Sequence, residues 1–480
     1  MPQPIASAER NTWLRPALGI VLGVTALRWL LLAFDNTDLY VDEAQYWLWG
    51  QEFAFGYYSK PPLIGWLIGA VTSLAGSDSV FWVRMPGAAL HGATALILAA
   101  WAARRLDGHA AVLVAAVYVT LPMAALGSLL ISTDTVMAPF FAAALYFHHR
   151  LTETRSPRFA LMAGVAIGMA FMAKYAAIYF LIGVALAALR RDGRIGWANA
   201  GLLLLAFGVV ISPNILWNLN HQLTTFSHTA DNVGWVRQDN PLAALHPMGA
   251  VEFLLSQFAV VGPVVFGALL IGLWQPGRGA GLWPFIVPPL AVVTFQALLG
   301  EAQANWAVAA FFAGSLLAVA VLAGHRRWIT ASFVVNGAIA VIMPLLVIFT
   351  DISPDGKVKL LDRQLGRASF SQQIIAISQQ NGNLPIYTDN RDILADLFYT
   401  GRDAGLTVYA TAPKGRRPEN HYEQRYPLPD GLSGPILVIA TTPPACTPTP
   451  APIALDPMGG AYSKWGRAAY IVDVGCLYAD

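Results

Sequence analysis

Two adjacent acids, Asp42 and Glu43, precede a lysine, Lys60, which stands immediately before Pro61 and Pro62. A carboxylate at the rim of an apolar cavity can accept the proton of an attacking hydroxyl, which is general-base chemistry. The plainer reading of the pair is capping, since Asp42 and Glu43 open a helical stretch and a helix N-terminus favours acids. The Lys60 ammonium, fixed by the two prolines, is placed where a lipid phosphate would lie, although a snorkelling lysine accounts for it almost as well. Asp134, in the turn Ser132-Thr133-Asp134, sits between apolar runs, where an acid is costly unless paired. Lys174 lies at the middle of the apolar stretch 159–189 and is expected to partner Asp134 or a phosphate. Tyr57 and Tyr58 just before Lys60, and Asn305, are further candidate substrate contacts, and a mid-chain loop holds His221, His228 and His246, none of them in a dense motif. Arg84 is expected to fix helix geometry, and Arg28 receives no role. No His-x-x-His or carboxylate cluster with ligand spacing occurs, so neither a metal nor another cofactor is expected.

These residues must be positioned by a membrane body. Of the 480 residues 56% are hydrophobic and 12% charged, about half the charged share of a soluble domain. Mean hydropathy is +0.52. That excludes an ordinary soluble enzyme, and a net charge of +2 without basic blocks argues against a nucleic-acid partner. Clear apolar segments fall near 16–34, 83–103, 109–130, 135–149, 196–217, 248–273, 281–299, 305–323 and 328–349. The first follows Arg10 and Arg15 without a small-residue cleavage site, which favours an anchor over a removed leader. The stretch 159–189 has basic flanks on both sides and reads as a hairpin turning at Lys174. The short apolar segment 61–76 reads as interfacial, because counting it as a crossing breaks the charge pattern.

About eleven crossings follow, with the N-terminus inside and the C-terminus outside. Arg104-Arg105, His149 to Arg158, Arg190 to Arg194, Arg278 and Arg326-Arg327 are then cytoplasmic. Residues 35–82, the Asp134 turn, Lys174, the loop 218–247, the turn from Glu301 to Asn305 and the C-terminal region face out. The chemistry-bearing segments thus gather on one side.

The fold class expected is mainly α, a polytopic helix bundle over residues 1–350 followed by a small extracytoplasmic α/β domain over 351–480. That last region holds 25 of the 58 charges. Within it, 384–387, 406–409, 435–440 and 468–474 read as strands and 391–399 as a helix, a βαβ-like pattern. Arg416-Arg417 and His421-Tyr422 read as a solvated loop or an acceptor contact. Cys446 and Cys476, the two cysteines of the chain, are either free thiols or a disulfide.

Asp42-Glu43, Lys60-Pro61-Pro62-Leu63, Arg84-Met85-Pro86-Gly87, Ser132 to Thr135, Lys174-Tyr175 and Pro213 to Asn218 together resemble the integral-membrane GT-C glycosyltransferases of the protein O-mannosyltransferase type. The bacterial branch with lipid A aminoarabinose and lipopolysaccharide galacturonosyl transferases is most similar. The resemblance implies a polyprenyl-phosphate sugar donor, inversion at the anomeric carbon, and work at the outer face of the bacterial inner membrane. It implies Asp42 as base, Lys60 on the donor phosphate, Asp134 in the site and, by a loose match, His228 against substrate; on the residues themselves Glu43 is the competing acid, Lys174 joins Lys60 at the phosphate, and Tyr57, Tyr58 and Asn305 face substrate. A greasy lateral opening for the donor tail is expected along 61–76. Lipid A or lipopolysaccharide is the favoured acceptor, with protein O-glycosylation as the alternative; a lipid flippase or secondary transporter is the rival class.

Overall fold

A computed structural model describes residues 12–233, 245–275, 277, 279, 281–350, 361–456, 460–464 and 466–478. Arg10, Arg278, the central part of the expected loop 218–247 and the first residues of the expected C-terminal domain lie outside them. The described residues form a mainly helical body that carries a small mixed sheet at its C-terminal end.

Four helices among the described residues are long and apolar enough to cross a membrane: Leu14–Leu32, Val80–Arg105, Trp197–Asn220 and Arg326–Ile348. Shorter apolar helices, Leu63–Ala75, Gly108–Thr120, Pro157–Ala173, Tyr175–Ala187, Trp283–Leu299 and Ala309–Leu322, pack among them. Many of the large side chains left exposed are apolar, such as Leu22, Leu30, Trp197, Val209 and Val334, as a lipid-facing surface requires.

Two expected spans are broken. The segment 248–273 is not one helix but two, Pro247–Val261 and Pro263–Trp274, meeting at 115°. Gly262 adopts φ +85°, a left-handed conformation that ends the first helix, and Pro263 starts the second without an N–H to donate. Asn336 fills the corner, donating from Nδ2 to Val261 O at 3.1 Å. A Cβ on Gly262 would fall 1.9 Å from the Asn336 side chain. The segment 109–130 likewise stops at Thr120, because Pro122 begins a separate short helix, Pro122–Leu126.

At Lys174 the backbone is extended, φ −156° and ψ 131°, between Pro157–Ala173 and the short turn that leads into Ile178–Ala187. The chain reverses there. Lys174 meets Asp134, the second residue of helix Thr133–Thr154, whereas Phe180 packs further along that helix on Phe141 and His148. Glu153 near its C-terminal end collects Arg104 at 3.4 Å and Arg150 at 3.2 Å. The two chemically distinct sets of residues therefore sit at opposite ends of the bundle.

The C-terminal region holds β1 (Ile386–Thr388), β2 (Val408–Tyr409), β3 (Pro435–Ala440), β4 (Ile453–Ala454) and β5 (Ala468–Asp473). They are ordered β2-β1-β3-β5-β4, with β1 parallel to β2 and β3, and β5 antiparallel to β3 and β4. Helix Arg391–Thr400 joins β1 to β2, which is the crossover that a parallel pair needs. Cys446 and Cys476 form a disulfide whose Cα atoms are 5.2 Å apart. Closing a loop between residues 30 positions apart is worth about 3–4 kcal/mol on the chain-entropy scale. Replacing both cysteines by serine is expected to lower the melting temperature of the full chain, and a reductant should no longer affect the variant. An unchanged melting temperature would show that the bridge contributes nothing.

This region seats on the loop after the first helix. Asp38 Oδ2 caps helix Arg367–Gln380 by accepting from Arg367 N at 2.8 Å and Ala368 N at 3.3 Å. Tyr399 meets Trp47 edge-on at 5.1 Å and donates to Asp78 O at 2.6 Å. Arg425 pairs with Glu52 at 2.8 Å.

Candidate active site

Arg84 organises the first loop. It has no exposed side-chain surface, and all five of its N–H groups donate. Nε and Nη2 bind Glu43 Oε1 and Oε2 at 3.0 and 2.7 Å; Nη1 reaches Asp35 at 2.7 Å and Thr37 at 2.8 Å; Nη2 also reaches Asp38 O at 2.8 Å. Glu43 is 2% exposed and accepts two more bonds, from Tyr40 N at 3.0 Å and Ile131 N at 2.9 Å. Its four acceptor positions are thereby filled. Glu43 is geometrically a fastener: it caps helix Val41–Gly50 and ties it to the turn before Asp134, with no lone pair left for a substrate proton. The expectation that Glu43 could be the base does not fit these contacts.

Asp42, one residue earlier in the same helix, points elsewhere. Its side chain is 45% exposed, and Oδ1 accepts from Arg391 Nη2 at 2.5 Å. Arg391 also donates to Gln45 Oε1 from Nε and Nη2, both at 3.2 Å. Among the described residues Oδ2 of Asp42 accepts no bond, so one oxygen is held and the other is available. Arg391 opens helix Arg391–Thr400 of the C-terminal region, which packs across helix Val41–Gly50. No local pattern marks it, because the contact joins residues 349 positions apart.

Lys60 is set by a turn in which Tyr57 N donates to Lys60 O at 3.2 Å. Asn214 Nδ2 holds Phe55 O at 2.7 Å and Thr225 Oγ1 holds Tyr57 O at 2.7 Å. Gly56 lies so close to Trp217 that a Cβ there would come within 2.4 Å of the indole. The motif Pro213 to Asn218 thus positions the lysine loop. Asn214 also accepts from Tyr175 at 3.0 Å, which fixes the residue after Lys174. Among the described residues, the Lys60 ammonium has no hydrogen-bond or ion-pair partner. Its pKa is held below the ordinary lysine range by burial first and by the nearby Lys174 charge second.

Lys174 is committed to Asp134, at 2.7 and 2.8 Å to the two carboxylate oxygens, and Asn305 donates to Asp134 Oδ2 at 2.8 Å. This Lys174-Asp134-Asn305 group joins three separate segments of the bundle. Asp134 and Asn305 form the polar rim of a cavity of about 480 Å³ whose walls include Met123, Leu130, Val260 and Phe312. Helix Leu63–Ala75, along which the opening for the donor tail was expected, packs on Val41–Gly50 through Gly50, Gly65 and Gly69.

The two tyrosines differ. Tyr57 stacks on Trp49 at 4.9 Å and gives its hydroxyl to Trp49 O and Glu52 O, both at 2.7 Å, which makes it part of the loop's packing. Tyr58 donates to Pro418 O at 2.8 Å and lies 5.0 Å from the His228 ring. Tyr58, His228, Asp231 and Arg417 line a cavity of about 370 Å³. Burial, with help from Lys60, lowers the His228 pKa to about 4, so the imidazole is neutral at neutral pH. His221 stacks on Trp217, and His246 caps the helix that begins at Pro247. Arg416 is taken by Glu423, and His421 packs edge-on to Trp49. Arg28 is an interior fastener, donating to Ser128 Oγ at 3.0 Å and Val119 O at 2.5 Å. No group of three or more metal-ligating side chains occurs among the described residues.

Residues 59–217 match the dolichyl-phosphate-mannose-protein mannosyltransferase family. Over 478 residues the chain is 39% identical to the lipid A galacturonosyltransferase RgtD of Rhizobium johnstonii, covering 96% of this chain and 99% of that one. The chain belongs to this family of GT-C membrane glycosyltransferases. The fold agrees with that of ArnT from Cupriavidus metallidurans: TM-score 0.66 at 12% identity in the apo state, covering 94% of this chain and 97% of ArnT. For ArnT bound to undecaprenyl phosphate the TM-score is 0.61 at 13% identity, covering 96% and 98%. In this glycosyltransferase the family match runs from the lysine loop through Asp134 and Lys174 to the motif that ends at Asn218.

Proposed function

We propose that this glycosyltransferase moves a sugar, a hexuronic acid by its likeness to RgtD, from a polyprenyl-phosphate carrier to a hydroxyl of lipid A. The reaction takes place at the outer face of the inner membrane, with about eleven crossings placing the C-terminal region outside. The observation that carries the reading is the half-buried Lys60 ammonium, without a partner among the described residues and within the electrostatic reach of an acid, Asp42, that keeps one oxygen uncommitted. Asp42 Oδ2 takes the proton as the acceptor oxygen bonds to the anomeric carbon. The bond from that carbon to the phosphate oxygen breaks, and polyprenyl phosphate leaves with the electron pair. A single displacement inverts the anomeric centre.

Lys60 offsets the charge of the leaving phosphate, and preorganised donors aimed at developing charge are usually the largest single catalytic term. Arg391 orients Asp42. The Lys174-Asp134-Asn305 group shapes the site beside the apolar cavity, which suits an isoprenoid or acyl chain. A uronic acid brings a further negative charge, for which Lys60, Arg391 and Arg417 are the nearby cations. Protein O-glycosylation shares this chemistry and differs only in acceptor. The flippase and transporter readings fall with the family.

The depressed Lys60 pKa makes donor use sensitive to pH. Only the ammonium offsets phosphate charge, so kcat/KM for the donor should fall as pH rises through the lysine's pKa in the free enzyme, below the usual ~10.4. Lys60→Arg should remove that alkaline fall. The direct test is the purified protein in vesicles with a polyprenyl-phosphate hexuronic acid and lipid A. It should yield glycosylated lipid A with inverted configuration; transfer to protein hydroxyls alone would replace lipid A as acceptor.

A further inference from the structure

At the end of the bundle away from Asp42 lies a second polar cavity. His148 is fourteen residues along helix Thr133–Thr154 from Asp134, about 21 Å at 1.5 Å per residue. There the C-terminal turns of Pro86–Arg105 and Thr133–Thr154 meet the turn after Ile178–Ala187 around a cavity of about 100 Å³. Trp101, Arg105, His148, His149, Arg190 and Asp192 contribute to its wall. That volume is several times the ~30 Å³ of a liquid water, enough for a small oxyanion.

Two wall residues are 3% and 5% exposed, Trp101 and His148, and neither Trp101 Nε1 nor His148 Nε2 has a hydrogen-bond partner among the described residues. Buried ring nitrogens are nearly always satisfied, so the indole N–H needs an acceptor, and Nε2 needs one in the tautomer that protonates it. The local carboxylates are already in use. Glu153 collects Arg104, Arg150 and His149, and Asp192 takes two bonds from Arg190, both at 3.1 Å. The Arg105 guanidinium lies against Gly281, where a Cβ would stand 3.4 Å from Nη2. Gly193 lets the turn close on Ala187, since a Cβ there would meet Ala187 O at 2.1 Å. The indole N–H is a donor only, the imidazole Nε2 donates in one of its tautomers, and the surrounding charge is mainly positive. The mainly positive surroundings disfavour a cation, whereas an oxyanion meets ring N–H donors and guanidinium charge.

We propose that this cavity binds a phosphate group, at the opposite end of the bundle from the transfer site and independently of it. Basic pockets between helices at the cytoplasmic headgroup level suit anionic lipid headgroups. A free inorganic phosphate offers the same chemistry, and the occupant ties three helix ends together.

Binding to the full detergent-solubilised protein should be read by native mass spectrometry and thermal melting, with three probes: inorganic phosphate, a short-chain phosphatidylglycerol, and the matching diacylglycerol without phosphate. The wild-type protein should take up one saturable equivalent of a phosphate-bearing probe, with a raised melting temperature, and none of the diacylglycerol at this site. The paired substitution Trp101→Phe and His148→Phe should weaken that equivalent at least tenfold while sugar transfer persists. If the pair does not fold, Arg105→Gln at the cavity mouth should show the same loss. Uptake of phosphatidylglycerol alone identifies a lipid headgroup, and similar uptake of both phosphate probes identifies free phosphate as sufficient. Equal binding by wild type and a folded variant, equal uptake of diacylglycerol, or no uptake of either phosphate probe overturns the proposal.

Discussion

Asp42→Asn is expected to lower turnover by roughly a hundredfold to ten-thousandfold, the range that a positioned general base contributes, while the donor dissociation constant changes by less than about threefold. Asparagine keeps the shape, and its amide oxygen can still accept from Arg391, but it cannot take a proton at neutral pH. The ion pair that is lost is partly exposed, and such pairs are worth about 0–1 kcal/mol, so folding should be nearly intact. Glu43→Gln should behave in the opposite way. Glu43 accepts four bonds in a buried setting, two of them from Arg84, so its amide forfeits acceptor capacity and charge where neither can be replaced. Its signature is a lower melting temperature. If instead Glu43→Gln melted normally and lost only turnover, the base would be Glu43 and the roles given to the two acids would have to be exchanged.

Arg84→Met should cost about 3–5 kcal/mol of stability, the range for removing one partner of a buried ion pair. Methionine fills much of the space but leaves the Asp35 and Glu43 carboxylates without their counter-charge, and those side chains are 2% and 3% exposed. The loop that carries Asp42 and docks the C-terminal region should loosen first. Thermal melting with hydrogen exchange on residues 35–60 would show this as early deprotection. A variant as stable as wild type, with an equally protected loop, would mean that the carboxylates find other donors.

The acid and lysine motifs were readable because their chemistry is local: an acid pair at a helix start and a lysine ahead of two prolines limit what those side chains can do. Charge asymmetry between loops was enough to place Asp134, Lys174 and Asn305 on one side, and they meet there. The strands of the C-terminal region showed as short β-branched runs between turn residues, and four of the five were visible; Ile453–Ala454 is too short to carry a pattern. What stayed hidden depends on long-range packing. Hydropathy treats 248–273 as one run because it does not register Asn336 turning the corner at Gly262. It likewise does not distinguish Asp42 from Glu43, since their separation into a held acid and a buried fastener depends on Arg84 and Arg391.

The most direct measurement is mass spectrometry of lipid A and of secreted glycoproteins from cells that carry the wild-type chain, the Asp42→Asn chain or neither. One added hexuronic acid on lipid A is expected with the wild-type chain alone, and identical glycoproteins in all three. Lipid A that is the same in all three, or the same in wild type and Asp42→Asn, would contradict that expectation.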